Sequence, residues 1–423
     1  MRETVRTDRE KEVTSGADRG SRELERLIGR TRDSLLELVV QFGIEAFQEL
    51  LEEDMERLCG PRSSRSDERQ AYRHGREPSR LSVGGRRVRM DKPRVRSVAG
   101  TEMALPTWER YRDQDPLGHR ALEQILCGVS SRKYQRSLES IGDLETSGIT
   151  KSSVSRQFVA RTKRQVESFL SRPLGVLDLP VLMLDGVEMG RHLLIVALGI
   201  DSEGHKHVLG VVEGAAESSE VCRRLLRQLI ERGLEVERPR LIVTDGSKGL
   251  EKAIRLTFGS RYRHQRCRQH KTRNVMAHLP AHARLWWQVR LRAAWKEPSA
   301  DQAKQQLLAL ANELDGEYPG AADSLREGLD ETLTVTRLGL SGALLQTLRS
   351  TNPIENMHDS MKRVARNVKR WRGGSMVVRW GVTALMDAET QFRRIRGFRD
   401  IPALNAALAA TIAPEVDTQA ISA

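Results

Sequence analysis

The hydrophobic pattern between residues 176 and 270 differs from that of the rest of the chain. Short apolar runs bounded by turn residues predict strands, and runs with apolar residues three or four apart that end at a glycine predict helices. In chain order the strands are VLMLD, HLLIVALGI and HKHVLGVVEG, then helix SSEVCRRLLRQLIERG, strand RLIVTD, helix SKGLEKAIRLTFG and strand YRHQRC. This segment is therefore predicted to be an α/β domain.

The order strand, strand, strand, helix, strand, helix, strand is that of a ribonuclease H-like core, so we expect a mixed sheet of that fold class. In that topology the first and fourth strands are neighbours. Asp185 ends VLML and Asp245 ends LIVT. The two carboxylates are expected side by side at carboxyl ends of strands, where α/β sheets place their ligands. As an alternative, each Asp followed by Gly is also an ordinary turn.

The pattern on either side of this segment is mostly helical. Residues 22–59 carry leucines at helical spacing before a Gly-Pro stop, and three short helices are predicted between residues 116 and 172. From about 270 to 345 the chain is again helical, with three tryptophans and no strand runs. The fold is thus predicted as α/β, preceded by a mostly helical N-terminal region.

The net charge of the chain indicates a class of binding partner. The net charge is +13 and the sequence pI is near 9.9, which favours a polyanion such as double-stranded DNA, because neutralised phosphates release counterions. Gly84-Gly85 between RLSV and RRVRM predicts a basic hairpin that could follow a phosphate backbone. Candidate contacts there are Arg73, Arg86, Arg87 and Arg89. A solvated charge run in a linker is the alternative.

The third helix of residues 116–175 could be the recognition helix of a helix-turn-helix-like DNA-binding region. Arg156 lies among polar residues on its solvent side and could reach base edges. An ordinary amphipathic bundle is the alternative.

The four cysteines are scattered without a C-x2-C pair, which argues against a disulfide framework and for a reducing compartment. The first twenty residues contain no apolar signal region, and no uninterrupted apolar stretch approaches the ~18 residues that span a bilayer. We therefore expect a cytoplasmic protein without membrane contact.

A third carboxylate, Glu355, opens a helix in TNPIENMHDSMKR. Asn352 as N-cap and Glu355 three residues later also form a capping box, a role that does not exclude metal ligation. Asp359 on the same helix face is the rival third ligand, and Lys362 and Arg366 could grip the DNA strand being cut.

Three such carboxylates suit Mg²⁺, which prefers hard oxygen ligands, with Mn²⁺ able to substitute. One ion would activate an attacking water or 3′-hydroxyl and the other would stabilise the leaving oxygen. Glu213 and Glu217 lie where the third strand meets the following helix. They are interpreted as surface residues, with a place around the site as the alternative.

Several blocks recur in order over nearly the whole chain and together resemble the Mutator-type DDE transposases of bacterial insertion sequences. The blocks are LMLDGVEMG, VLGVVEGAAESSE, LIVTDGSKGLEKAIRLTFG, QRCRQHKTRNVMAHLP, SLREGLDETLTVTRLGL, LRSTNPIENMHDSMKRV and VKRWRGG. The resemblance implies the triad Asp185, Asp245 and Glu355, Mg²⁺ dependence, and strand cleavage and joining at terminal inverted repeats. We also expect a homodimer, because two element ends must be paired, and association with the bacterial nucleoid.

The C-x2-H element that marks this family is Cys267 and His270. With His264 it also allows a zinc interpretation, although a structural zinc needs four ligands. A hydrogen-bonding role that braces the site is the preferred interpretation. A related nuclease or Holliday-junction resolvase, and a catalytically inactive DNA-binding derivative, are the alternatives for the whole chain.

The predicted organisation has eight parts, the sixth of which the resemblance identifies as an all-helical insertion. They are a mobile tail (1–20), a helical element (21–60), a basic β-ribbon or linker (61–115), a helix-turn-helix-like DNA-binding region (116–175), the first part of the core (176–270), the insertion (271–350), the core-closing helices with the third acid (351–400) and a C-terminal tail (401–423).

Overall fold

The computed structural model describes residues 39–40, 42–62, 71–83, 86–112, 118–138, 146–147 and 150–412. The predicted mobile tail (1–20) and the first half of the predicted helical element lie outside the described residues. The chain divides into two compact units, Met1–Val159 and Ala160–Ala423.

A long hairpin dominates the described part of the first unit. Strands β1 (Ala71–Val83) and β2 (Arg86–Ser97) pair antiparallel, with an irregularity between Arg73 and Arg76. Short strands β3 (Glu102–Met103) and β4 (Thr146–Ser147) both pair with β2. Apolar side chains alternate with charged ones along β2, so the buried face packs against helix α1 (residues 42–59).

The helices of this unit are α2 (Pro106–Arg112), α3 (Gly118–Leu126) and the start of α4 (Lys151–Ser171), which crosses the boundary between the units. The second of the three helices predicted after residue 116 is not formed in residues 130–138. Those residues are turns and one 3-10 turn, Gln135–Ser137. Polar and basic residues interrupt the apolar spacing in this segment, which leaves too few buried positions to pay for a helix.

The second unit contains a five-stranded mixed sheet in the order β7-β6-β5-β8-β9. Its strands are β5 (Val181–Met189), β6 (His192–Ile200), β7 (Lys206–Gly214), β8 (Arg240–Thr244) and β9 (Tyr262–Arg266). The first three pair antiparallel, whereas β8 pairs parallel with β5 and with β9. The strands that carry Asp185 and precede Asp245 are therefore neighbours.

Helices α5 (Ser219–Glu231) and α6 (Lys248–Phe258) cover this sheet with apolar faces. Both have their apolar residues three or four positions apart, which places Leu225, Leu229 and Ile254 on the buried side. Ser218 caps α5 by accepting a hydrogen bond from the Val221 amide.

A separate helical core follows β9. Its helices are α7 (Arg268–Ala277), α8 (Ala281–Ala294), α9 (Ala300–Asp315), α10 (Pro319–Arg326), α11 (Thr334–Arg337) and α12 (Gly342–Leu348), with a 3-10 turn at Asp330–Leu333. Trp287 and Trp295 are buried in this core, whereas Trp286 is exposed. Residues 268–348 are helical or turn, without strands.

The chain then returns to the sheet through α13 (Asn352–Ala365), which packs on β5, and α14 (Gly374–Glu389), which packs on β7 and β6. A 3-10 turn, Phe398–Asp400, leads into α15 (Ile401–Thr411). The predicted C-terminal tail (401–423) thus begins as a helix that buries Ile401, Leu404 and Leu408. Within the described ranges, no helix combines the length and apolarity needed to cross a membrane.

Candidate active site

Asp185 lies within β5, not at its end as the sequence suggested, because β5 continues to Met189 in its pairing with β6. The parallel pairing with β8 stops at Met183 and Val243, so Asp185 and Asp245 both lie just beyond that last pair. Asp185 is 6% exposed. Burial first, and the negative charge of Asp245 second, raise the pKa of Asp185 to about 8. The two carboxylates are therefore close enough to repel each other.

A tight turn holds Asp245. The Ser247 amide donates to Asp245 Oδ1 at 2.9 Å, and the Gly246 amide donates to Thr244 Oγ1 at 3.1 Å. Gly246 has a φ of +96°, and a Cβ there would overlap Arg266 Nε. The glycine after Asp245 is thus required both by its left-handed backbone and by the adjacent guanidinium.

A further carboxylate joins this pair, one that sequence reasoning had interpreted as a surface residue. Burial, and then the charge of Asp245, raise the pKa of Glu217 to about 7. Its Oε1 is buried with no hydrogen-bond partner among the described residues, and a Cβ on Gly186 would lie 3.6 Å from it. Asp185, Asp245 and Glu217 are called the acidic cluster below. No sequence signal beyond its place before the cap of α5 distinguished Glu217.

Glu355 stands in the first turn of α13, with Thr351 as N-cap. The predicted capping box is wrong, because Asn352 is already the first helical residue. Instead, the Thr351 hydroxyl donates to Glu355 Oε1 at 2.8 Å. His270 Nδ1 lies 3.6 Å from the same oxygen, and Arg273 Nη2 lies 3.9 Å from Oε2. Partners from two helices therefore hold this carboxylate.

Cys267 and His270 begin α7, and Thr351 ties them to α13. Cys267 Sγ accepts hydrogen bonds from the His270 amide at 3.5 Å, and from the Thr351 amide and hydroxyl at 3.4 and 3.3 Å. Burial opposes ionisation of the thiol, but a hydrogen bond with the His270 side chain, followed by those with the Thr351 hydroxyl and the two backbone amides, outweighs it and lowers the pKa of Cys267. The hydrogen bond to Cys267 in turn raises the pKa of His270 to about 9, helped by Asp185 and Glu355.

The zinc set proposed from sequence is not assembled, because His264 Nε2 lies 2.8 Å from Thr244 Oγ1 instead. Cys267, His270 and Glu355 bring their ligand atoms within 4.8 Å of one another. Three protein ligands are one fewer than a structural zinc requires.

α13 brings a second histidine onto Asp185. His358 Nδ1 lies 3.4 Å from Asp185 Oδ2, and burial lowers the pKa of His358 to about 4, so this contact is that of a neutral imidazole. Asp359, the rival third ligand, is exposed, as are Lys362 and Arg366. His270, whose pKa responds to Asp185 and to Glu355, connects the acidic cluster with Glu355.

The remaining predicted DNA-contacting residues are in the first unit and on α4. Arg73 is engaged within that unit, because its Nη1 pairs with Glu52 Oε2 at 3.1 Å and its Nη2 donates to the Gly60 carbonyl. Arg87 and Arg89 are exposed on β2, and Arg156 is exposed on α4. The side chain of Arg86 lies outside the described residues.

Comparison with known proteins identifies the family to which the chain belongs. The family model described as "Transposase, Mutator family" matches residues 21–395. The chain is 26% identical over 381 residues to the transposase for insertion sequence element IS1081 of Mycobacterium tuberculosis, covering 86% of this chain and 88% of that protein.

Two further relatives agree. The transposase for ISRM5 of Rhizobium meliloti is 29% identical over 323 residues, which cover 75% of this chain and 79% of that protein. The transposase for IS256 in transposon Tn4001 of Staphylococcus aureus is 26% identical over 362 residues, which cover 82% of this chain and 88% of that protein. The resemblance found in the sequence is confirmed: the chain belongs to the Mutator family of transposases.

Proposed function

We propose that this transposase cuts DNA at the inverted repeats of an insertion sequence and joins the freed 3′ ends to target DNA, using Asp185, Asp245 and Glu355 as metal ligands. The observation that carries the proposal is the gathering of three carboxylates in the acidic cluster, where burial first and the charge of Asp245 second raise the pKa of Asp185 to about 8 and that of Glu217 to about 7. Such a concentration of negative charge is stabilised by a divalent cation.

The donor set fits Mg²⁺ or Mn²⁺. The ligand atoms are carboxylate oxygens, which hard cations prefer, and Glu217 Oε1 is a buried acceptor that no described protein donor satisfies. When bound, such ions would polarise the scissile phosphate and favour ionisation of the attacking water or 3′-hydroxyl.

The protein's own groups orient these ligands. The Ser247 amide fixes Asp245, and the Thr351 hydroxyl fixes Glu355 from the turn that precedes its helix. Burial of Asp185 between β8 and β6 keeps water from that side. Ligands on strands and on a first helical turn are held more rigidly than ligands on loops.

We further propose a ribonuclease H-like core, supported by three antiparallel and two parallel-paired strands with the acids on adjacent strands. In this scheme residues 268–348 are the all-helical insertion. The exposed Arg87, Arg89, Arg156, Lys362 and Arg366 contact double-stranded DNA, and a homodimer pairs the two ends.

A matched pair of variants tests the assignment of the third ligand. Glu355→Gln removes a charge beside His270, and Asp359→Asn removes one from an exposed position one turn later on α13. With 3′-labelled element ends and Mg²⁺, we expect Glu355→Gln to abolish cleavage and Asp359→Asn to retain it. The opposite result would assign the third ligand to Asp359.

The same assay separates the competing activities. Joined product in a target plasmid supports a transposase, whereas cleavage without joining supports the related nuclease or resolvase. Binding of labelled ends without cleavage by the wild-type protein supports an inactive derivative.

A further inference from the structure

A cavity of about 1040 Å³ opens between α7 and α8. We call it the α7–α8 groove. Its basic lining residues are Arg268, Arg273, Arg284, Arg292, Lys296 and Arg349, and none of the described residues that line it is acidic. The groove is therefore positively charged, in contrast to the acidic cluster.

Two of these arginines have structural partners. Arg268 Nη1 donates to the Trp295 carbonyl at 3.0 Å and its Nε to the Thr332 carbonyl at 2.7 Å. Arg284 Nε donates to the Leu279 carbonyl at 2.9 Å. These bonds hold the two arginines in the groove wall.

The side chains of Arg292, Lys296 and Arg349 differ, because they have no ion-pair partner in the part of the chain that the structure describes. The contrast is clear on α8 itself. Arg290, two residues before Arg292 and on another face, pairs with Glu313 through both guanidinium nitrogens. Arg290 on one face of α8 is thus neutralised by an ion pair with Glu313, whereas Arg292 on another face is not.

Arg349 is half-buried, and burial first, then the nearby Arg292, lower its pKa. Two neighbouring cations without a carboxylate destabilise the protein, and an anion between them would remove that cost. Arginine in particular matches the geometry of phosphate oxygens.

The volume of the groove indicates which form of anion it can hold. Cavities of about 300–1,000 Å³ enclose ligands of drug size, so the α7–α8 groove, at about 1040 Å³, has room for a few unpaired nucleotides rather than for a duplex. Trp295 and Met276 lie among the cations of the lining, and grooves for single strands combine backbone charge with aromatic side chains on which bases stack.

The groove is continuous with the candidate active site. Arg273 lines it and places Nη2 3.9 Å from Glu355 Oε2, and Ser350, which also lines it, precedes Thr351. A strand bound in the groove would leave it beside Glu355.

We propose that the α7–α8 groove binds a short unpaired segment of the DNA strand next to the phosphate being cut. This inference rests on the proposed function, because it uses the same DNA substrate and the same Glu355. It predicts that DNA near the cut must be locally unpaired to occupy the site.

The test measures binding without divalent metal, so that it does not depend on cleavage. The full-length Arg292→Gln/Arg349→Gln variant is compared with a control, Arg227→Gln/Arg255→Gln, which removes equal charge from exposed positions on α5 and α6. Each is titrated with element ends that are fully paired or carry a mismatched bubble at the cut, after circular dichroism melting establishes that both variants are folded.

We expect the groove variant to lose about tenfold affinity for the bubble DNA, and the slope of log K against log salt to fall by about 1.4, or about 0.7 for each lost phosphate contact. Paired DNA and the control variant should change less than about twofold. Equal losses on paired and bubble DNA would reduce the groove to a general electrostatic surface and overturn the proposal.

Photocrosslinking provides a second measurement on the wild-type protein. Iodouracil in the bubble should crosslink within residues 268–296 or at Arg349 and Ser350, and crosslinks confined to other segments would also overturn the inference. An inactive but correctly crosslinked protein would contradict the proposed chemistry and leave the groove assignment standing.

Discussion

The acidic cluster and the α7–α8 groove are both linked to Glu355, through His270 and Arg273 respectively, and they differ in charge, burial and location in the fold. The acids lie at adjacent strands of the sheet, with Asp185 6% exposed. The cations of the groove range from the exposed Arg292 and Lys296 to the half-buried Arg349 and the buried Arg268. The two regions carry opposite charge, and His270 and Arg273 both lie beside Glu355.

The difference indicates which ligand each region is built for. A buried set of carboxylates suits a small cation, because a few oxygens can enclose it. An open row of guanidinium and ammonium groups suits an extended polyanion, because its charges are spaced along the chain. His270 offsets part of the negative charge of the acidic cluster, and Glu355 lies beside Arg273 of the groove, but Arg292, Lys296 and Arg349 have no ion-pair partner among the described residues.

The largest expected effect comes from the acidic side. Asp245→Asn removes one ligand and one negative charge while the Ser247 amide keeps an oxygen acceptor at Oδ1. Metal stabilisation of transition-state charge is worth several kcal/mol, so cleavage should fall roughly 10³-fold or more. Labelled element ends with Mg²⁺ provide the assay.

DNA affinity should stay within about twofold in this variant, since the acidic cluster is not expected to hold the DNA backbone. Asp301→Asn, at an exposed position of α9, serves as the control and should cleave normally. Unchanged cleavage by Asp245→Asn would contradict the proposal that the acidic cluster binds the catalytic metal.

The next effect concerns the turn after Asp245, in which Gly246 lies against the side chain of Arg266. Gly246→Ala places a Cβ on Arg266 Nε in a left-handed backbone, whereas Gly259→Ala has a φ of +55° and nothing within 4 Å. Both should lose about 1–3 kcal/mol of unfolding free energy from backbone strain, measured by urea denaturation. Only Gly246→Ala should also lose cleavage at temperatures where it is folded. Equal activity in the two variants would show that the turn does not position the carboxylate.

The smallest expected effect tests whether Glu217 contributes to metal binding. Glu217→Gln keeps the shape of the side chain but removes its charge, and the apparent Mg²⁺ affinity should fall roughly tenfold or more. Glu220→Gln, exposed in the first turn of α5, provides the matched control. Calorimetric Mg²⁺ titrations that do not distinguish the two variants would return Glu217 to the surface role that the sequence suggested.

Local signals predicted much of the second unit. Apolar runs with glycine stops gave the strand order and both sheet helices, because burial on a sheet imposes those spacings. The strand neighbours of Asp185 and Asp245 followed from that order. The helical character of residues 268–348 was also predictable, since Leu307, Ala311 and Leu314 recur at helical spacing.

Other features depend on groups far apart in the chain. Nothing local marks Glu217, whose shifted pKa comes from burial and from Asp245. The capping box at Asn352 was wrong because Thr351, held by Cys267 from another helix, takes the N-cap position. The middle helix of the first unit failed because its periodicity was too weak to predict burial.

The sequence by itself determined the family and the strand order, because these are carried by short blocks and by the spacing of apolar residues, and it suggested the three carboxylates that are proposed as metal ligands. Only the tertiary structure decided which charges stand without partners. Glu217, Arg292 and Arg349 look like ordinary surface residues in the sequence. Packing buries Glu217 Oε1 without a hydrogen-bond donor among the described residues, and it places Arg292 near Arg349 in a groove whose described lining contains no acidic residue.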